Sequence, residues 1–260
     1  MKRQGRLRHW LLGGLSALVV IVGGGLIYDF RSVTPAPICT AARPVDSNAG
    51  DLLVVVGDSW ASWGKLDDGL RSAFAEAGRP VLVKSQGFPG EPSRTVLERF
   101  SGPGGLAALM AKEYPGRRVT LLVLVGINDV FGHTGPMQYA THTAKFLGLA
   151  TGCGVKAFVV EIPPVDFGEV APLTPGGLRR GVYRWVVDGG KTDAAPYRAA
   201  LRGIVSPGVL IDPGAYVEAR QKDLYDGRHF NAAAYDDFGR QLGEILVSRL
   251  AGTSMSGEGE

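Results

Sequence analysis

Residues 51–59 read DLLVVVGDS and residues 118–129 read RVTLLVLVGIND. Each is a short apolar run that ends in Gly followed by small polar residues. A strand with one wet face alternates; Leu52–Val56 and Val119–Val125 are apolar at every position. That pattern predicts strands buried on both faces, as in a parallel sheet covered by helices. Working outward, Val81–Val83, Ala157–Ile162 (closed by Pro163 and Pro164) and Val209–Ile211 predict three more strands. Helical spacing predicts helices over Ala61–Ala77, through Leu66, Leu70 and Phe74, and over Gln138–Ala150 and Ala233–Leu250, with shorter pieces at Thr95–Phe100 and Leu106–Tyr114. Strand and helix alternate, so the fold class is α/β. Residues 165–190 break the rhythm and read as a long excursion near the C-terminal edge of the sheet, where such folds bind ligands.

The composition narrows the function. A chain of 260 residues, 45% hydrophobic and 20% charged, suits one ordinary domain with an appendage. The net charge is +3, yet Lys2, Arg3, Arg6 and Arg8 precede any acid. Those four cations exceed the total, so the body carries one net negative charge, which argues against a nucleic-acid partner. Two cysteines exclude a disulfide-rich miniprotein and a zinc site of four thiolates. Neither HExxH nor CxxC occurs, and the reading assigns no metal and no cofactor.

Residues 10–28, WLLGGLSALVVIVGGGLIY, hold 19 uncharged positions behind a basic tail at 1–9. As a helix they span roughly 28 Å, about one hydrocarbon core. Trp10 and Tyr28 suit the two interfaces, and the basic end predicts that the body crosses the membrane. A cleaved signal peptide fits less well, because Asp29, Phe30 and Arg31 follow where a small-residue cleavage site belongs. The expectation is a single-pass anchor in the inner (cytoplasmic) membrane. A Pro- and Ala-rich linker follows at 29–49, then one extracytoplasmic, periplasmic domain at 50–251 and a tail at 252–260. Outside the cytoplasm Cys39 and Cys153 can pair, but two free buried thiols fit equally well.

Gly57-Asp58-Ser59 follows the first predicted strand. Alone it reads as a strand-to-helix turn with Asp58 or Ser59 as a cap. A phosphate loop fails, since Leu66 stands where a Ser or Thr belongs after Lys65. The nucleophile elbow G-x-S-x-G fails at Ala61. A nucleophilic Ser59 needs a base, and His229 lies three residues after Asp226 in a loop before the last helix. An Asp at that spacing can curl back to Nδ1 and leave Nε2 for the serine. Asn128 follows the strongest strand, where its amide can point into the sheet crevice, although a helix-start cap is an equal reading. Gly87 and Gly90 lie in a glycine-rich turn after the second strand.

In order and context these blocks resemble the SGNH/GDSL hydrolase superfamily over residues 50–250: Gly57-Asp58-Ser59, Gly87-Phe88-Pro89-Gly90, Gly126-Ile127-Asn128-Asp129 and Asp226-Gly227-Arg228-His229. The resemblance implies a three-layer sandwich, a flavodoxin-like five-stranded parallel sheet with helices on both faces. It implies Ser59 as nucleophile, His229 as general base and acid, and Asp226 as its orienter. The implied oxyanion hole is the N–H of Ser59, the N–H of Gly90 (with Gly87 the alternative) and the Asn128 amide. This sequence departs from the pattern at Trp60, where Leu or Ile is usual, at Pro92, and at Phe230, where Pro is frequent. Trp60 is expected to shape the acyl pocket, and His133 to edge the site; His142 reads as structural.

Localisation and a set of aromatic and arginine residues favour a polysaccharide O-acyl ester, acetyl above others, as substrate. The set is Trp60, Trp63, Phe131, Arg179, Arg180, Tyr183, Arg184 and Trp185. A lipase or lysophospholipase, an acyltransferase using the same acyl-enzyme, and a non-catalytic polysaccharide-binding protein are the alternatives. The membrane is reached through the anchor, and no feature names a protein partner.

Overall fold

A computed structural model of the protein describes residues 50–102, 116–152, 154–167 and 175–252. The anchor at 10–28, the linker, Cys39, Cys153, the helix piece Leu106–Tyr114 and the tail at 253–260 lie outside the described residues. No helix among the described residues is long and apolar enough to cross a membrane.

Five strands form one sheet: β1 (Asp51–Gly57), β2 (Val81–Gly87), β3 (Arg118–Leu124), β4 (Lys156–Val160) and β5 (Leu210–Ile211). All pairings are parallel, in the order β2-β1-β3-β4-β5. β1 is buried from Leu52 to Gly57 and β3 from Val119 to Leu124, as their unbroken apolar sequences require. β2 runs four residues beyond its apolar start, through Lys84, Ser85, Gln86 and Gly87. It is an edge strand, so these polar side chains need no partner sheet.

The helices, in chain order, are α1 (Gly64–Glu76), α2 (Ser93–Ser101), α3 (Ile127–Gly132), α4 (Pro136–Thr151), α5 (Pro175–Asp188), α6 (Ala195–Ile204), α7 (Gly214–Ala219) and α8 (Ala232–Gly252). α1 packs on α8, while α4 packs on both α2 and α6. The two groups supply the helical layers that burial on both faces of the sheet demands. α1 and α8 touch backbone to backbone: a Cβ on Gly239 would strike the Leu66 carbonyl, and one on Gly69 the Asp236 carbonyl.

Three local expectations are corrected. The first helix begins at Gly64 rather than Ala61, because Ser59–Ala61 forms a separate single 3-10 turn and Trp63 is extended. The excursion at 165–190 contains α5, whose Pro-Gly-Gly start hides its periodicity. α3, α6 and α7 were not expected; α3 and α7 have only six residues each, too short for a helical period to register.

Candidate active site

In the order 2-1-3-4-5 the strand order reverses between β1 and β3, and ligands bind outside the carboxyl ends of the strands at that point. Ser59 and Asn128 stand there, just past the ends of β1 and β3. The Asp58 N–H donates to the Leu124 carbonyl at 3.0 Å and locks the two strand ends together. The Asp58 carboxylate accepts the Trp60 N–H at 3.0 Å and closes the turn that carries Ser59.

The histidine arrives from the other end of the chain. Asp226 Oδ1 accepts the backbone N–H groups of Arg228 (3.0 Å) and His229 (2.7 Å), and Gly227 supplies the positive φ of the turn. A bridge between Leu224 and Phe230 closes the loop. In this conformation Asp226 Oδ2 lies 2.7 Å from His229 Nδ1, and His229 Nε2 lies 2.8 Å from Ser59 Oγ. The sequence-predicted Ser59, His229 and Asp226 thus form one connected relay. Burial pushes the Asp226 carboxyl up, but the hydrogen bonds from the His229 ring and from the N–H groups of His229 and Arg228 outweigh it and hold it below the ordinary range. Asp226 therefore stays anionic opposite the imidazole.

The candidate oxyanion donors converge less tightly. The Phe88 N–H donates to the Gly57 carbonyl at 2.9 Å and ties the glycine loop to β1. Gly90 adopts φ +79° on this loop. No hydrogen bond within the described residues engages the N–H of Ser59 or of Gly90. The Asn128 amide donates to the Glu91 carbonyl at 3.2 Å, next to Gly90 in the chain. Gly87 has a packing reason to be glycine, since a Cβ there would collide with the backbone of Ser62.

Two expectations about substrate contact are corrected. Trp60 is 2% exposed. Its ring packs 5.3–5.8 Å from those of Phe230, Tyr235 and Phe238, under the site rather than beside substrate. His133 is 1% exposed, in a left-handed helix-capping conformation, with Nδ1 2.6 Å from Asp188 Oδ2. It pins α3 to the end of α5. Trp63 and Tyr225, 37% and 61% exposed, meet each other at 6.2 Å beside the His229 ring instead, at 6.3 and 6.0 Å from it between ring centroids. Sequence reasoning named Trp63 only as one aromatic among several and missed Tyr225. Its position directly before the Asp226 block was the available signal.

Ser93 and Asp58 are further residues the site depends on. Asp129 accepts the Ser93 N–H (2.8 Å) and hydroxyl (2.7 Å), and His142 Nδ1 lies 3.3 Å from the same hydroxyl. Burial, with Lys145 and Arg94 adding repulsion, pushes His142 down to about 4, so it is neutral. Burial pushes Asp129 up to about 6 against its bonds from Ser93. Burial also pushes Asp58 up to about 7; the Trp60 N–H opposes this and the Asp129 charge adds to it. Among the described residues no group of three or more His, Cys, Asp and Glu side chains could hold a metal ion.

No protein-family model matches the sequence, and no curated protein matches it. Solved structures do. The psychrotrophic esterase EstA from Pseudoalteromonas sp. aligns at 14% identity and a TM-score of 0.52, over 77% of this chain and 97% of its own. A G-D-S-L family protein from Desulfitobacterium hafniense aligns at 14% identity and a TM-score of 0.50, over 77% of this chain and 99% of its own. These likenesses show a shared fold, a five-stranded parallel sheet between helical layers.

Two predictions arise from the site. Asn128→Ala lowers kcat on ester substrates by about a hundredfold or more, the cost of one oxyanion donor, with little change in thermal stability; an equally active variant removes the role. The second concerns pH. The unfolded chain releases the Asp58 proton near 3.8, and the folded state holds it to about 7. The stabilisation is therefore full below the lower value and is lost as pH rises through the upper one. Thermal unfolding should show a falling Tm from about pH 4 to about pH 7. In Asp58→Asn the fall becomes smaller, the remainder coming from Asp129.

Proposed function

We propose that the chain is a serine ester hydrolase that removes short O-acyl groups, acetyl above others, from a cell-envelope or exported polysaccharide. The observation that carries the hydrolase reading is the unbroken relay Ser59–His229–Asp226, at 2.8 and 2.7 Å. Ser59 Oγ attacks the ester carbonyl while His229 Nε2 takes its proton, and Asp226 stabilises the imidazolium that forms. The N–H groups of Ser59 and Gly90 and the Asn128 amide receive the oxyanion. The tetrahedral intermediate collapses, the C–O bond to the alcohol breaks, and His229 returns the proton to the leaving alkoxide. Water then repeats the sequence on the acyl-enzyme and regenerates Ser59.

Support for a short acyl group comes from Trp60, the residue after Ser59, whose ring is packed into the core against Phe230, Tyr235 and Phe238 and leaves that side of the serine turn filled. Support for a polysaccharide comes from Trp63 and Tyr225, a solvent-reaching aromatic pair beside His229. Support for an extracytoplasmic site on a single-pass membrane anchor comes from the uncharged stretch 10–28 and the four cations before it.

Hydrolysis of p-nitrophenyl esters from acetyl to dodecanoyl by the full-length chain tests this reading. The expected profile peaks at acetyl and disappears in Ser59→Ala. A long-chain optimum moves the substrate to lipids, and activity that survives in Ser59→Ala refutes the nucleophile.

A further inference from the structure

A cleft of about 550 Å³ opens where the chain leaves β4, within the ~300–1,000 Å³ range of small-molecule sites. The segment Pro164–Phe167 forms one wall, and Arg184, Thr192, Asp193 and Arg198 form the rest of its polar lining. It shares that wall with the histidine loop. The Asp166 N–H donates to the Gly227 carbonyl at 3.2 Å, and Arg228 Nε donates to the Asp166 carbonyl at 3.3 Å. Gly227 and Arg228 lie between Asp226 and His229, so the cleft begins one hydrogen bond from the relay.

The polar lining is built rather than incidental. Arg184 Nε donates to the Gly190 carbonyl and Arg198 Nε to the Ile162 carbonyl, each at 2.7 Å. Both guanidinium groups are thereby fixed by the stem. No hydrogen bond within the described residues engages their terminal amino groups, so each fork remains a preorganised pair of donors. Asp193 is fixed by the Ala195 N–H at 2.8 Å, and Thr192 adds a hydroxyl.

This lining discriminates between ligand classes. Arg184 and Arg198 are balanced in formal charge by Asp166 and Asp193, so a free anion meets repulsion as well as attraction. An acyl chain would strip water from charged groups and return no hydrogen bonds. A neutral sugar ring satisfies both kinds of wall: its hydroxyls donate and accept, and a C–H face rests on the half-buried Pro164.

We propose that the cleft is a saccharide subsite. It binds a neutral sugar residue of the glycan that bears the acyl group, on the alcohol side of the ester. The proposal rests on the esterase reading for its place in a reaction; the binding itself does not.

Titration calorimetry of the full-length chain with cellotetraose, xylotetraose, mannotetraose and tetragalacturonate tests it. At least one neutral tetrasaccharide is expected to bind. Arg184→Met and, on the far wall, Asp193→Asn should each weaken that binding, Arg184→Met by about tenfold or more, the usual cost of losing hydrogen bonds to a charged group. Asp193→Asn retains the cap to Ala195, so it reports on the cleft if Arg184→Met fails to fold. Binding of tetragalacturonate alone, of none of the four, or binding that neither variant alters overturns the proposal. Turnover of p-nitrophenyl acetate is measured on the same wild-type preparation. Turnover without sugar binding ends the subsite and leaves the esterase. Variant-sensitive sugar binding without turnover supports the subsite and ends the esterase.

Discussion

The packing of Trp60 against Phe230 is the contact on which the site depends. Trp60 follows Ser59 and Phe230 follows His229, two hydrogen-bonded residues 170 positions apart in the chain. Their rings meet at 5.3 Å and share Tyr235 and Phe238 as neighbours. Phe230 is fully buried, and α8 begins two residues after it. The aromatic cluster therefore fixes the histidine loop to the serine turn through the core, while α8 itself is seated on α1 at the Gly69–Gly239 crossing. A hydrogen bond such as that from Ser59 to His229 is directional, and a shift of an ångström costs it. Buried rings in van der Waals contact resist such a shift.

A second constraint is electrostatic. Asp58 and Asp129 stand behind the crevice, both fully buried and both with raised pKa values. Asp58 shapes the serine turn by accepting the Trp60 N–H, and Asp129 orders the start of α2 through Ser93. Each is kept from full ionisation by burial, in contrast to Asp226. The relay carboxylate lies at the protein surface, where hydrogen bonds hold it charged. Burial thus holds the protons of Asp58 and Asp129 more tightly, while hydrogen bonds from His229 and Arg228 release that of Asp226.

Much of this is legible in the sequence, for identifiable reasons. β1 and β3 are central strands, so burial on both faces forces an unbroken apolar run. Past their C-terminal ends the sequence turns small and polar, which makes Gly57-Asp58-Ser59 and Gly126 to Asp129 stand out. Spacing alone brings Asp226 onto His229, since an Asp three residues ahead can cap the turn that holds the imidazole. What is not legible depends on tertiary contact. Trp60 and Phe230 are each visible as departures from the resembling family's pattern, but only the fold shows that the two departures touch. The polar half of β2 and the six-residue α3 and α7 are fixed by their neighbours and not by local periodicity. His133 reads as a site residue because it follows the Asn128 block, yet its partner Asp188 lies 55 residues away.

The central claim is that the relay activates Ser59. The most direct test is covalent labelling of the full-length chain with a fluorophosphonate probe, followed by mapping of the modified residue. The account predicts modification at Ser59 in the wild type and its loss in His229→Ala, which leaves Ser59 in place without its base. Label on another residue, label at Ser59 that does not depend on His229, or no label on a folded protein would contradict it.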